Sequence, residues 1–230
     1  MRIQGLQKLT LLDFPERVAC TVFTAGCNLR CPFCHNASLV VNIPKEGEIT
    51  EDTFFAFLKK RQGVLDGVCV SGGEPLLQPD IEQFLQKIKE MGYAVKLDTN
   101  GTNPEKLKEL VTKGLVDYVA MDVKNALETY AITCGLDQMD LENIKESVSY
   151  LKEGHVSYEF RTTVTKNFHS TQDFESIGQW LAGTEKYYLQ NFVDSGDLIN
   201  QKIRGCEEKE MNTFLETVQK YIPSAKLRGI

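Results

Sequence analysis

Long apolar runs are missing: none approaches the roughly 20 residues that span a bilayer, so neither a membrane-crossing helix nor a membrane partner is expected. Low-complexity tracts, blocks of like charge and Pro/Gly-rich linkers are missing too. With no boundary visible, residues 1–230 read as a single domain. The opening Met1, Arg2, Ile3, Gln4, Gly5 lacks the apolar core of a secretory signal, and the expected location is the cytoplasm. Positive charge is in deficit. Lysine and arginine total 26 against 32 acidic residues, a net charge of −6. Nucleic-acid binders are usually basic, so no nucleic-acid partner is expected. The single tryptophan, Trp180, lies on a helical pattern and is expected in the core. The rest of the composition, 42% hydrophobic and 25% charged, is that of an ordinary globular protein with enough chain for a full core.

Cysteine is not scarce. Three of the seven cysteines, Cys27, Cys31 and Cys34, fall within eight residues, separated by three and then two residues. Soft thiolates suit zinc or an iron–sulfur cluster. A disulfide framework is a poor reading, because the count is odd and the expected compartment is reducing. A structural zinc site needs a fourth ligand, and His35, adjacent to Cys34, is too close to complete a usual finger spacing. Three thiolates alone fit an iron–sulfur cluster with one iron left without a protein ligand, and an open iron is where chemistry can occur. Cys20 and Cys69 fall in apolar strands and read as buried small hydrophobes. Cys134 and Cys206 look isolated in loops and receive no role.

Short apolar, β-branched runs at 18–23, 68–70, 94–97, 116–121, 156–164 and 187–189 alternate with helix-like segments at 51–61, 79–91, 104–112, 141–152 and 171–181. Pro79 and Pro104 sit where a first helical turn tolerates proline. Gly92 and Gly154 follow helices as C-terminal caps, and Thr50 with Glu51 and Asp52 marks a helix start. Ile81, Phe84, Leu85 and Ile88 recur at helical spacing and belong to the core. Strand–helix alternation implies a parallel sheet with right-handed crossovers. Six such units fall short of the eight that close a barrel. The expected fold class is therefore α/β, a partial, open (β/α)6 barrel, with a flavodoxin-like open sheet as the alternative.

The unusual polar residues respect one edge of that sheet. The cysteine triplet follows the first run, Ser71, Gly72, Gly73, Glu74 and Pro75 the second, Asp98, Thr99, Asn100 and Gly101 the third, and Asp122 and Lys124 the fourth; Arg161 lies in the fifth. Parallel sheets gather ligands at the carboxyl ends of their strands, so one cleft can collect all of them. Each group also has a plainer reading. Gly72 and Gly73, which let a backbone approach a ligand, also suit a simple strand-to-helix turn. Asn100–Gly101 suits a hairpin turn, although Pro104 opens a helix instead of a second strand. Asp122 and Lys124, two apart and so on one face of a strand, can form a surface ion pair of little worth. Arg161, pointing inward, needs a partner, which is either a ligand carboxylate or a buried acid such as Asp98. Phe33 and His35 flank Cys34 and either touch the ligand or serve the local structure. Lys226 and Arg228 read as a solvated tail, with contact to a partner as the alternative.

The Cys-x-x-x-Cys-x-x-Cys spacing, with an aromatic residue before the last cysteine, resembles that of the radical S-adenosylmethionine (SAM) enzymes. That resemblance implies a [4Fe-4S] cluster on Cys27, Cys31 and Cys34, with SAM chelating the open iron and one electron splitting it. It also implies cofactor-binding roles for Phe33, His35, Gly72, Gly73, Glu74, Asp98, Asn100, Asp122, Lys124 and Arg161 and a partial barrel of the radical SAM type. Gly73→Val is then expected to spare the cluster and weaken SAM binding. Asp98-Thr99-Asn100-Gly101 and Asp122-Val123-Lys124, with valine in place of leucine, resemble motifs of glycyl-radical-enzyme activases, and the blocks at 9–15 and 24–36 resemble the activating proteins of anaerobic ribonucleoside-triphosphate reductase, the likeness being strong to about residue 125. The implied partners are a glycyl radical enzyme as protein substrate and a reducing electron donor such as flavodoxin or ferredoxin. A histidine that pyruvate formate-lyase activases carry after the sixth strand is replaced by the run Leu189, Gln190, Asn191, Phe192, with Asn191 as the nearest polar group. Alternatives are a radical SAM enzyme acting on a small molecule such as a deazapurine or cofactor precursor, an activase of another glycyl radical enzyme, and a non-catalytic metal scaffold.

Overall fold

In a computed structural model describing residues 1–41, 43–44 and 46–229, one eight-stranded sheet runs in sequence order. Its strands are β1 (Ile3–Thr10), β2 (Ala19–Thr24), β3 (Gly67–Gly72), β4 (Ala94–Thr99), β5 (Tyr118–Asp122), β6 (Ser157–Val164), β7 (Tyr187–Asn191) and β8 (Lys226–Arg228). β1 pairs antiparallel with β2, and every later pair is parallel. β1 and β8 are the two outer strands, so the sheet stays open and forms no closed barrel. The six expected strands are β2 to β7. The two edge strands were not expected: β1 is short of apolar residues, and β8 has only three residues, Lys226, Leu227 and Arg228.

The helices are α1 (Ala37–Val40), α2 (Glu51–Lys60), α3 (Ile81–Glu90), α4 (Pro104–Thr112), α5 (Tyr130–Thr133), α6 (Glu142–Lys152), α7 (Thr171–Trp180) and α8 (Glu208–Gln219). Their ends follow local chemistry. The Thr50 hydroxyl accepts from the Thr53 amide at α2, Asn103 caps α4 with Pro104 in its first turn, and Ser170 and Asp173 form a reciprocal box at α7. Pro79 does not enter α3 as expected. It precedes the Asp80 cap, and Pro75 instead opens a short 3-10 turn at Pro75–Leu77. Ile81, Phe84, Leu85 and Ile88 are buried against the sheet, as are Cys20 and Cys69. Trp180 is only partly buried, edge-on to Tyr130 at the margin of the core. Among the described residues no helix is long and apolar enough to cross a membrane.

The C-terminal strand anchors the sheet where a solvated tail was expected. Arg228 donates two hydrogen bonds to the fully buried Glu159, at 2.7 and 3.0 Å, and lies over the Tyr188 ring at 3.6 Å. Cys134 and Cys206, expected as isolated loop residues, are also buried: one caps α5, and the other exchanges two backbone hydrogen bonds with the Asn191 side chain.

Candidate active site

A cleft of about 240 Å³ opens at the carboxyl ends of β2 to β7. Twelve of the residues singled out from the sequence line it: Cys27, Cys31, Phe33, Cys34, His35, Gly72, Gly73, Asp98, Asn100, Asp122, Lys124 and Arg161. The thirteenth, Glu74, does not. It is buried behind the wall, where its carboxylate accepts from the Leu76 amide (3.1 Å), the Thr99 hydroxyl (2.9 Å) and the Asn100 amide (2.7 Å). Burial pushes its carboxyl up to about 7 despite those donors. Glu74 therefore shapes the β4 loop and does not face the cleft. Asn191 is turned toward Cys206, and because side chains alternate along a strand, its neighbour Gln190 reaches the cleft instead.

The cysteine loop is held at both ends. At its entrance the Gly73 amide donates to Thr24 (2.9 Å) and the Glu74 amide to Gly26 (2.8 Å). Gly72 has a φ of +122°, and a Cβ on Gly73 would overlap the Gly26 carbonyl, so the two glycines let the β3 loop lie flat on the segment before Cys27. Further along, the Arg30 amide donates to the Cys134 carbonyl (2.9 Å) and the Asn200 amide to the Pro32 carbonyl (3.0 Å). Asn100 bridges two loops, donating to Asn28 (3.0 Å) and Cys27 Sγ (3.7 Å). Phe33 packs against Phe168, and His35 against Phe192 at the rim.

Charge alternates across the cleft floor. Lys96 pairs with Asp98, which also accepts from Ser71 (3.0 Å) and faces Arg161 at 3.5 Å. Arg161 pairs with Asp122 (3.0 Å), and Asp122 with Lys124 (3.0 Å). Burial alone raises a carboxyl, but Arg161 and Lys96 outweigh it and hold Asp98 below the ordinary carboxylate range. Lys124 and Arg161 do the same, more strongly, for Asp122. Lys124 is itself raised: burial opposes its charge, and Asp122 overcomes that opposition. The reading of Asp122 and Lys124 as a surface pair does not hold, because both line the cleft and are tied into this chain of charges. Sequence reading missed Lys96, which sits inside an apolar strand run, and Ser71 as an Asp98 partner.

Burial pushes the Cys27 thiol up to about 11 and raises Cys34 as well, while Lys124 works against both. A hydrogen bond from Cys134 lowers the Cys31 thiol, the direction that favours a metal-binding thiolate. Cys134 does not line the cleft, so three cysteines face it. Among the described residues no three His, Cys, Asp or Glu side chains gather closely enough for a single metal ion. A zinc ion draws its sulfurs to about 2.3 Å from one point, whereas a cubane spreads its ligands around a larger body. Three soft donors, no fourth in the cleft and a cation within reach suit a [4Fe-4S] cluster with an open iron.

Residues 21–181 match the radical SAM superfamily. The chain is 32% identical over 99% of its length to a Methanocaldococcus jannaschii protein provisionally assigned as a glycyl-radical enzyme activating enzyme, of which it covers 96%. It is 33% identical over 94% of its length to the pyruvate formate-lyase-activating enzyme of Clostridium pasteurianum, covering 95% of that protein. Streptococcus suis SuiB bound to its precursor peptide SuiA superposes with a TM-score of 0.71 at 15% identity, over 91% of this chain and 48% of that one, a likeness of fold. The chain belongs to the radical SAM superfamily, within its glycyl-radical enzyme activating branch. It is accordingly a radical SAM enzyme whose cofactors are a [4Fe-4S] cluster and SAM.

Proposed function

We propose that this chain, acting as a single radical SAM domain, generates a glycyl radical on a partner enzyme. The observation that carries the proposal is the gathering of Cys27, Cys31, Cys34, the Gly72–Gly73 loop, Asp98, Asn100, Asp122, Lys124 and Arg161 around one cleft. In this reading Cys27, Cys31 and Cys34 hold the cluster. A cluster held there would supply the electron for reductive cleavage of SAM, the chemistry from which a glycyl radical on the partner would be made. Lys124 and Arg161 attract the carboxylate of SAM, and the backbone at Gly72–Gly73 admits its amino-acid end. Phe33 and His35 border the side where a flat base can pack. The open sheet supports entry of a peptide loop, which a closed barrel would hinder.

The partner class is supported by the Methanocaldococcus and Clostridium relatives. Within that class we favour anaerobic ribonucleoside-triphosphate reductase, on the resemblance of the blocks at 9–15 and 24–36. A low-potential donor such as flavodoxin or ferredoxin would supply the electron, in a reducing cytoplasm. The test is electron paramagnetic resonance on anaerobically reconstituted protein with dithionite and SAM. A glycyl doublet is expected only when the reductase is added. Appearance of the doublet with pyruvate formate-lyase but not with the reductase would replace the partner. Absence of SAM cleavage under every condition would overturn the reading.

A further inference from the structure

Lys96 has no counterpart in the sequence reading. It lies in β4 between apolar neighbours, is 1% exposed, and shares a strand face with Asp98 two residues on. A buried ammonium is costly unless it is paired. Lys96 is paired with Asp98, and its only other hydrogen-bond partner among the described residues is Cys69 Sγ at 3.8 Å. Beyond Asp98 the chain of charges continues through Arg161 and Asp122 to Lys124. Three cations, Lys96, Arg161 and Lys124, therefore meet two carboxylates, Asp98 and Asp122. The nearby Glu159 does not change the balance, because Arg228 neutralises it through two hydrogen bonds.

The cleft-facing cations of that chain are Arg161 and Lys124. Were Lys96 absent, Asp98 would turn its full charge on Arg161. We infer that Lys96 is a positioning residue: by engaging Asp98 from behind, it keeps that carboxylate from fully neutralising Arg161, whose guanidinium is then left to meet the carboxylate of a ligand in the cleft. This inference rests on the reading of the cleft as a SAM site and assigns the origin of its charge selectivity. Lys96 touches no ligand in this scheme and acts through Asp98.

The test is equilibrium binding to the anaerobically reconstituted holoenzyme, with two probes. SAM carries the amino-acid carboxylate; 5′-methylthioadenosine keeps the adenosine and sulfur but lacks the amino acid. Lys96→Met should weaken SAM binding by about tenfold or more, the scale of removing one charge from a partly buried cluster, and leave methylthioadenosine within about twofold. Lys96→Arg keeps a cation behind Asp98 and should recover most of the SAM affinity lost in Lys96→Met, with methylthioadenosine binding unchanged in both. Equal weakening of both probes, unchanged SAM affinity in Lys96→Met, or a Lys96→Arg variant no better than Lys96→Met would each overturn the inference. A wild-type protein that binds SAM no better than methylthioadenosine would overturn the reading of the cleft, and this inference with it. Iron content and circular dichroism of each variant confirm that the compared proteins are folded and loaded.

Discussion

Gly73 lies backbone to backbone with Gly26, so closely that a side chain on Gly73 would overlap the Gly26 carbonyl. The motif that reads as a cofactor contact is therefore also the seat of the cysteine loop.

Gly73→Val should consequently do more than weaken SAM binding. The bulk must displace the segment entering Cys27, and the hydrogen bonds from Gly73 and Glu74 to Thr24 and Gly26 go with it. Overpacking of this kind costs about 1–3 kcal/mol. Iron and sulfide content after reconstitution should fall along with SAM affinity. Full cluster loading with selective loss of SAM binding would return the motif to the simpler, ligand-only role expected from sequence.

Cys31 and Cys134 are neighbours with unequal expected roles. Cys31→Ala removes a thiol that lines the cleft and should abolish both the brown cluster absorbance and SAM cleavage. Cys134→Ala removes a buried thiol outside the cleft and should keep iron and sulfide near wild-type levels. Its cost is the loss of a small buried group, about 1 kcal/mol in thermal unfolding. Loss of the cluster in Cys134→Ala would make that residue a ligand and close the open iron.

The contrast between these cysteines shows what the sequence could and could not carry. Cys27, Cys31 and Cys34 were legible because the spacing is local. Asp98, Asp122 and Arg161 were legible because parallel strands deliver their carboxyl ends to one edge. Cys134 was not, since its proximity to Cys31 depends on how the segment after β5 folds back over the cysteine loop. Glu74 was placed in the right loop and on the wrong side of it, because facing is decided by the bonds to Leu76, Thr99 and Asn100. β1 and β8 were invisible for a different reason: an edge strand pairs on one side only and does not need the continuous apolar run of a buried parallel strand.

Glu159 and Arg228 give a pH-dependent contribution to stability. Burial raises the Glu159 carboxyl, but the Arg228 hydrogen bonds outweigh it and leave the pKa lowered. A carboxyl depressed in the folded state stabilises the fold above its unfolded pKa, near 4.3, and that contribution is lost as pH falls through the folded value. Arg228→Ala leaves the fully buried Glu159 with the Tyr118 hydroxyl (3.0 Å) but no paired cation, a loss of up to about 3–5 kcal/mol near neutral pH. The stranded carboxyl takes up a proton more readily, so the gap from wild type should narrow as pH falls toward 4. Thermal unfolding of both proteins from pH 7 to pH 4 measures it. A gap independent of pH would mean that the ion pair is not its source.

His169 supports Lys124 from behind. The Thr165 amide donates to its Nδ1 at 3.1 Å, so the ring proton sits on Nε2, which donates to the Lys124 carbonyl at 3.0 Å. Burial lowers the pKa of His169, holding the ring in the neutral form that this pattern requires. The same turn carries Phe168 onto Phe33, so one loop braces both the cationic floor and the aromatic wall. His169→Phe keeps the ring volume and removes both hydrogen bonds, leaving the Lys124 carbonyl and the Thr165 amide unpaired at a cost of about 1–3 kcal/mol each if they stay buried. The expected result is normal cluster content with SAM affinity reduced several-fold, because the backbone anchors of the cysteine loop lie at Gly73 and Cys134 and the Phe168 side chain against Phe33 is kept. Loss of iron in proportion to SAM binding would show instead that the 165–169 turn supports the cysteine loop itself.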